Sequence, residues 1–168
     1  MRAAVLQTSR GSIARGRSLA AIRYADRGDV DLREGFRIDE PAVLVPWRVS
    51  EQELDELLGP ALRHVTDKYW TARVSVLGGL ACNLGFHFRG KNGRLSELEF
   101  FRDSYSDQAA SFDEFQRHFE KAFGPPRESS PGTEGFPSHR WLVPGAEIIH
   151  LIFDRFGPEE HMRIRRRG

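Results

Sequence analysis

The sequence predicts an α+β fold, a tandem αβββ repeat that builds one curved antiparallel sheet with two helices packed on one face. Three observations predict it. A Ser-x-x-Glu start, an apolar stripe and a Gly-Pro stop occur at Ser50–Pro60 and again at Ser111–Pro125. Each is followed by three strand-like runs joined by Gly-containing turns. Gly59 and Gly124 also lie at nearly the same distance before the first hairpin glycine of each half. Two matching units of this kind read as a duplication, with half-repeats over about 35–102 and 107–168.

Residues 1–34 stand outside that pattern. Met1 to Ala25 contains Arg2, Arg10, Arg15, Arg17 and Arg23 and no acidic residue. It lacks a continuous apolar stretch of the secretory kind. It reads as a basic tail, and Asp26–Glu34 as a charged linker. Gly35–Ile38 reads as a short strand and Val43–Trp47 as an apolar entry segment.

In the first helix, Ser50 and Glu53 form a capping box, each side chain satisfying a backbone N–H that the helix start leaves orphaned. Leu54, Leu57 and Leu58 make its stripe. The strands Tyr69–Leu77, Leu80–Arg89 and Arg94–Arg102 follow, turning at Gly78-Gly79 and Gly90–Gly93. Trp70, Ala72, Val74 and Val76 alternate with polar residues, as do Leu80, Cys82, Leu84, Phe86 and Phe88, the pattern of a sheet with one buried face. In the second helix, Ser111 and Glu114 read as a capping box, and Phe112, Phe115, Phe119 and Phe123 fall on one face. The Gly-, Pro- and Ser-rich Arg127–Pro137 stretch reads as a mobile connector. The strands Ser138–Val143, Ala146–Arg155 and Glu160–Arg167 complete the chain. Met162 and Ile164 point inward. The Ala146–Arg155 run is apolar on both faces, so it is central or its open face is an interface.

The 168 residues give a formal net charge of +1, so no global field favours nucleic acid. The single Cys82 excludes an internal disulfide and a multi-Cys zinc cluster, and fits a cytoplasmic location. No apolar run is long enough for a membrane span.

The six histidines form no helical metal pair. His87 and His150, with Glu97 or Glu99, are the one combination that would make a His/carboxylate metal site, and hence a metal-dependent enzyme. Cys82 lies in the inward register, where a thiol is inert. Arg163, Arg165, Arg166 and Arg167 would suit phosphate, giving a nucleic-acid reading; a charge-protected edge strand explains them more cheaply. No catalytic motif and no cofactor motif is present.

The open sheet face is therefore the expected working surface. It is expected to carry Tyr69, Arg73, Asn83, His87, Arg89, Glu97 and Glu99 from the first half. From the second half come Ile148, His150, Ile152, His161, Arg163 and Arg165. Mixed charge around an apolar centre is the composition of a protein interface.

The helix ending in Gly-Pro and followed by strands with Trp70 or Trp141 resembles the tandem αβββ arrangement of the beta-lactamase-inhibitor-protein-like fold. The pattern Trp141, Ile149-His150, Arg155-Phe156-Gly157 is similar to small bacterial immunity proteins that accompany secreted polymorphic toxins. These resemblances imply a non-enzymatic, cytoplasmic protein that binds a toxin's surface and neutralises it. They leave the partner's identity and the oligomeric state open.

Overall fold

The computed structural model describes residues 31–89, 92–154 and 158–168. The basic N-terminal segment and the Arg155-Phe156-Gly157 motif lie outside the described residues. The fold is α+β. A hairpin of β1 (Gly35–Ile38) and β2 (Val43–Pro46) comes first, then α1 (Glu51–Leu58). The first half of the large sheet is β3 (Leu62–Thr66), β4 (Tyr69–Val76), β5 (Leu80–His87) and β6 (Glu97–Phe101). After α2 (Gln108–Phe123) come β7 (Glu128–Pro131), β8 (Pro137–Val143), β9 (Ala146–Asp154) and β10 (Pro158–Arg166).

The eight strands β3 to β10 form one open antiparallel sheet in the order β3-β4-β5-β6-β10-β9-β8-β7. Each half is thus a helix followed by four strands, and the halves meet where β6 pairs with β10. The sequence pattern supplies three strands per half. The fourth in each case is the outermost one, β3 or β7, whose residues are almost all exposed and so lack apolar alternation. The Arg127–Pro137 stretch is accordingly not a mere connector, because β7 pairs with β8 from Glu128↔Arg140 to Pro131↔Pro137.

Helix α1 starts as its sequence dictates. Ser50 Oγ accepts from the Glu53 N–H at 3.2 Å, and Glu53 accepts from the Ser50 N–H at 2.7 Å. Helix α2 begins earlier than the Ser111 capping box predicts. Asp107 is the N-cap, accepting from the Ala110 N–H at 2.9 Å. Ser111 and Glu114 are released from capping and serve elsewhere, Ser111 on Glu160 and Glu114 on Arg102.

Both helices cover the same sheet face, and a tryptophan from the second strand of each half pins one. Trp70 on β4 donates to Glu51 at the start of α1 (2.6 Å). Trp141 on β8 donates to the Gly124 carbonyl at the end of α2 (2.9 Å). The β1-β2 hairpin packs into the same core. Phe100, on the central strand β6, meets Phe36 of the hairpin at 5.3 Å and Phe119 of α2 at 5.2 Å, both edge-on. The core also reaches Leu32, which is fully buried and accepts a hydrogen bond from Trp47 Nε1. The described core therefore includes a residue N-terminal to Gly35.

Truncating a fully buried core aromatic removes its transfer free energy and leaves a cavity. Phe119→Ala is expected to cost about 3–5 kcal/mol in denaturant unfolding, and a loss below about 1 kcal/mol would place Phe119 outside the core.

Candidate functional site

The strand registers decide which side chains share the uncovered face. Starting from Tyr69↔His87, the row continues through His87↔Glu97, Arg165↔Glu97 and Arg165↔Glu147. The next row runs Thr71, Gly85, Glu99, Arg163, Ile149 and Arg140. Tyr69, Arg73, Asn83, His87, Glu97, Glu99, His161, Arg163 and Arg165 therefore stand on the open face as expected. Arg89 lies exposed just past the end of β5.

Three expected site residues do not. Ile148, His150 and Ile152 pair with Ile164, Met162 and Glu160, and all three are buried on the helix side. The opposite parity of β9 faces out: Glu147, Ile149, Leu151 and Phe153. The sequence pattern could not separate the two because both sets are apolar. A histidine is tolerated inside because both ring nitrogens find partners. His150 Nδ1 lies 2.7 Å from Gln116 Oε1 and Nε2 lies 2.8 Å from Glu160 Oε1. Ser111 donates to the other Glu160 oxygen at 2.6 Å, and Phe112 stacks on the imidazole at 4.0 Å. His150 and His87 thus lie on opposite faces, so the His87/His150/carboxylate metal set is not assembled. Among the described residues no group of three or more His, Cys, Asp or Glu is placed to hold a metal ion.

On the open face, Glu99 is the hub. His87 Nε2 lies 3.0 Å from its Oε2, and Tyr69 donates to the same oxygen at 3.2 Å. Arg163 donates to its Oε1 at 2.7 Å, and His161 Nδ1 lies 3.4 Å away. Burial alone would raise the Glu99 carboxyl. Hydrogen bonds from His161 and His87, with the Arg163 charge, outweigh it and hold the group well below the usual carboxylate range. Burial, then the charge of Glu99, raises the Tyr69 phenol. Tyr69 stacks on His87 at 4.5 Å and lies over Gly85. A Cβ at Gly85 would stand 2.7 Å from the Tyr69 hydroxyl, so this glycine is what lets the ring reach Glu99.

Glu97, on the same face, is buried. It accepts from Arg163 at 3.1 Å and from Arg165 Nε at 2.8 Å. His87 and Glu97 are buried and Glu99 is half-buried, so all three lie beneath the arginine side chains of this face. Beside them, Ile149, Leu151 and Phe153 run down β9, with no helix over them among the described residues. Phe153 is 47% exposed and meets His161 edge-on at 5.5 Å. These apolar residues are the part of the face that the sequence pattern missed. The partner strand held the signal: Met162 and Ile164 point in, so their partners His150 and Ile148 do too.

Cys82 is buried, and burial pushes its thiol up to about 12, so it is no nucleophile near neutral pH. Arg163 and Arg165 lie on a central strand, not an edge, and their charges are matched by Glu97 and Glu99. Edge protection therefore does not explain them. Among the described residues no helix is long and apolar enough to cross a membrane.

These observations define an α+β protein with an eight-stranded open antiparallel sheet, helices on one face and a mixed polar and apolar surface on the other. No family model matches the chain, and no curated protein matches it. Among solved structures, a DUF4309 family protein (YjgB) from Bacillus subtilis subsp. subtilis str. 168 aligns at 13% identity and a TM-score of 0.43. The alignment covers 70% of this chain and 78% of that one, and at that distance it carries no argument about fold or function.

Gly85→Ala is expected to expel the Tyr69 ring and destabilise the fold by about 1–3 kcal/mol, the usual range for overpacking. Tyr69→Phe removes the hydroxyl that the new methyl group meets and should recover part of that loss in the double variant. Full additivity of the two losses in denaturant unfolding would show that the ring does not depend on Gly85.

The helix side sets the pH response. Burial lowers the His150 imidazole from its ordinary 6.5 against the pull of Glu160. His139 is lowered by burial and by the neighbouring His150. A group depressed in the folded state binds fewer protons there than in the unfolded chain. Stability is then fully present above about 6.5 and is lost as pH falls toward the folded values. Glu99 adds a second loss that starts only below its ordinary 4.5. The melting temperature should fall between pH 7 and pH 5, and His139→Gln, which removes one titrating ring, should flatten that slope. An identical slope in the variant would exclude His139 from the effect.

Proposed function

We propose that this protein is a non-enzymatic protein-binding module that receives its partner on the open sheet face. One observation carries the reading. The face opposite the helices bears an apolar column that no described helix covers, half-buried Ile149 and Leu151 and exposed Phe153, beside Arg163 and Arg165, whose charges are paired with Glu97 and Glu99. An apolar centre with an aromatic anchor and arginine at its margin is what protein interfaces concentrate. The short-range matching of Arg163 and Arg165 by Glu97 and Glu99 favours a protein partner over a phosphate backbone, which rewards unneutralised cations.

The resemblance to immunity proteins of polymorphic toxin systems supports a more specific role, that of a cytoplasmic partner that occludes a toxin. That role rests on the sequence pattern around Trp141 and Ile149-His150, with His150 acting as an internal residue of the fold and not as a contact. Its test is co-expression with the product of a neighbouring toxin gene, read as growth rescue; no rescue by the unaltered chain sinks it.

The placement of the interface is tested separately. Phe153→Glu, at an exposed position, should leave melting nearly unchanged and reduce capture of the cognate partner at least tenfold. Capture at the original level from a folded variant would move the interface off this face. Glu97→Lys is expected instead to lower stability by about 3 kcal/mol or more, because it leaves buried charge unpaired.

A further inference from the structure

The polar chain beneath α2 can be followed from end to end, and its ends decide where its protons lie. At one end, Gln116 Nε2 donates to the exposed Glu120 carboxylate at 2.7 Å. A carboxylate only accepts, so the amide nitrogen turns toward it and the amide oxygen turns inward. That oxygen lies 2.7 Å from His150 Nδ1, so Nδ1 brings the proton. At the other end, Arg102 Nε donates to Ser111 Oγ at 3.2 Å. An arginine always donates, which leaves the serine's own proton for Glu160 Oε2 at 2.6 Å. The middle contact joins Glu160 Oε1 to His150 Nε2 at 2.8 Å, and both side chains are 0% exposed. With Nδ1 protonated, a neutral ring offers only a lone pair at Nε2, and an ionised Glu160 offers only lone pairs facing it. Two bare acceptors do not hold a hydrogen-bond distance, so a proton lies between them. The titratable groups nearby are engaged elsewhere. His139 faces Ser129, and the Tyr105 hydroxyl accepts from the Arg102 N–H.

From this juxtaposition we propose that His150 and Glu160 share one proton at neutral pH, and that the exposed Glu120, acting through Gln116, is the positioning residue that keeps it there. Glu120 touches neither member of the pair. It fixes the Gln116 amide, the amide fixes the Nδ1–H tautomer, and that tautomer requires the second proton between Nε2 and Oε1. The shared proton is thus a pin that fastens α2 to β9 and β10, on the side of the sheet away from the candidate interface. It does not depend on what binds the open face. Without Glu120 the constraint lapses, and Gln116 can turn its amide N–H to Nδ1. The ring then gives its Nδ1 proton to solvent and keeps the shared proton on Nε2, donating to an ionised Glu160. One proton leaves, and no hydrogen bond between the ring and its two neighbours is lost.

The experiment is nitrogen NMR of the full chain with isotope-labelled histidine, slightly above neutral pH, where a ring nitrogen that carries a proton is told from a bare one by its chemical shift. His150 is assigned through Phe112, which stacks on it. The unaltered chain should show Nδ1 protonated. Glu120→Gln, whose amide oxygen still accepts from Gln116, should show the same. Glu120→Ala should convert most of the rings to the Nε2–H tautomer. Adding Glu160→Gln to that variant should return Nδ1–H, because Ser111 claims the new amide's oxygen and its N–H is left to face Nε2. Melting checks that each variant is folded. A bare Nδ1 in the unaltered chain would overturn the shared proton. An unchanged ring in Glu120→Ala would overturn the role of Glu120 and leave the shared proton standing. A double variant that stays in the Nε2–H tautomer, or that does not fold, would overturn the shared proton, since an amide reproduces both hydrogen bonds of the protonated acid.

Discussion

The pairing of β6 with β10 is the seam on which this structure depends. It is where the two halves of the large sheet meet, through four residue pairs, Phe100↔Met162, Glu99↔Arg163, Leu98↔Ile164 and Glu97↔Arg165. Its two faces do different work. On the helix side, Leu98, Phe100, Met162 and Ile164 are all fully buried and form the middle of the core. On the open side, both pairs are carboxylate to guanidinium. Opposite charges directly across an antiparallel pair stabilise it, and like charges would destabilise it. The register is also fixed by this alternation, since a slip of one residue would drive arginines into the core and Ile164 and Met162 out. The candidate interface is therefore not an addition to the fold. Its cations are the outer half of the contact that joins the two units.

The helix side shows where the two halves differ. Both units use a tryptophan on their second strand to hold a helix, yet Trp70 grips the start of α1 and Trp141 the end of α2. The longer α2 crosses the seam to reach Phe100 and then places Phe112 and Gln116 over His150. The polar chain from Gln116 through His150 and Glu160 to Ser111 then ties α2 to β9 and β10. Such a chain is stable only when every member has a partner, which makes it a specific lock on where α2 can sit. It also introduces titratable groups into an otherwise apolar layer, so the same contacts that position the helix make the fold sensitive to acid.

Much of this was legible in the residues, for reasons that also explain the gaps. The turns at Gly78-Gly79 and Pro144-Gly145, the Ser50–Glu53 cap and the alternation in β4 and β5 are local signals, and each corresponds to an observed element. Ser111 and Glu114 show the limit of a local signal. They carry the spacing of a cap, but Asp107 takes the cap and tertiary partners claim both side chains. The outer strands β3 and β7 were invisible as strands because an exposed edge requires no apolar alternation. In β9 the pattern was present but symmetric. Ile148, His150 and Ile152 lost the open face to Ile149, Leu151 and Phe153 only through pairing with β10, a relation between distant residues that alternation within one strand does not contain.

That reversal changes what the open face is. With His150 inside, the face loses a metal-ligand candidate and gains Phe153, so its chemistry shifts from coordination toward packing. The surviving histidines, His87 and His161, both turn to Glu99, and Arg163 sits on the same carboxylate. A carboxylate held so strongly in its charged form is a poor proton shuttle, because catalysis by a general base favours a group that titrates near the working pH. It is, however, a good anchor for cations that must stay charged and in place. Ordering the arginine heads before any partner arrives lowers the entropy lost when one binds. The buried carboxylates, the glycine that admits Tyr69 and the stacked His87 thus act together as a rigid base, and the specificity of the face is left to the groups standing above it.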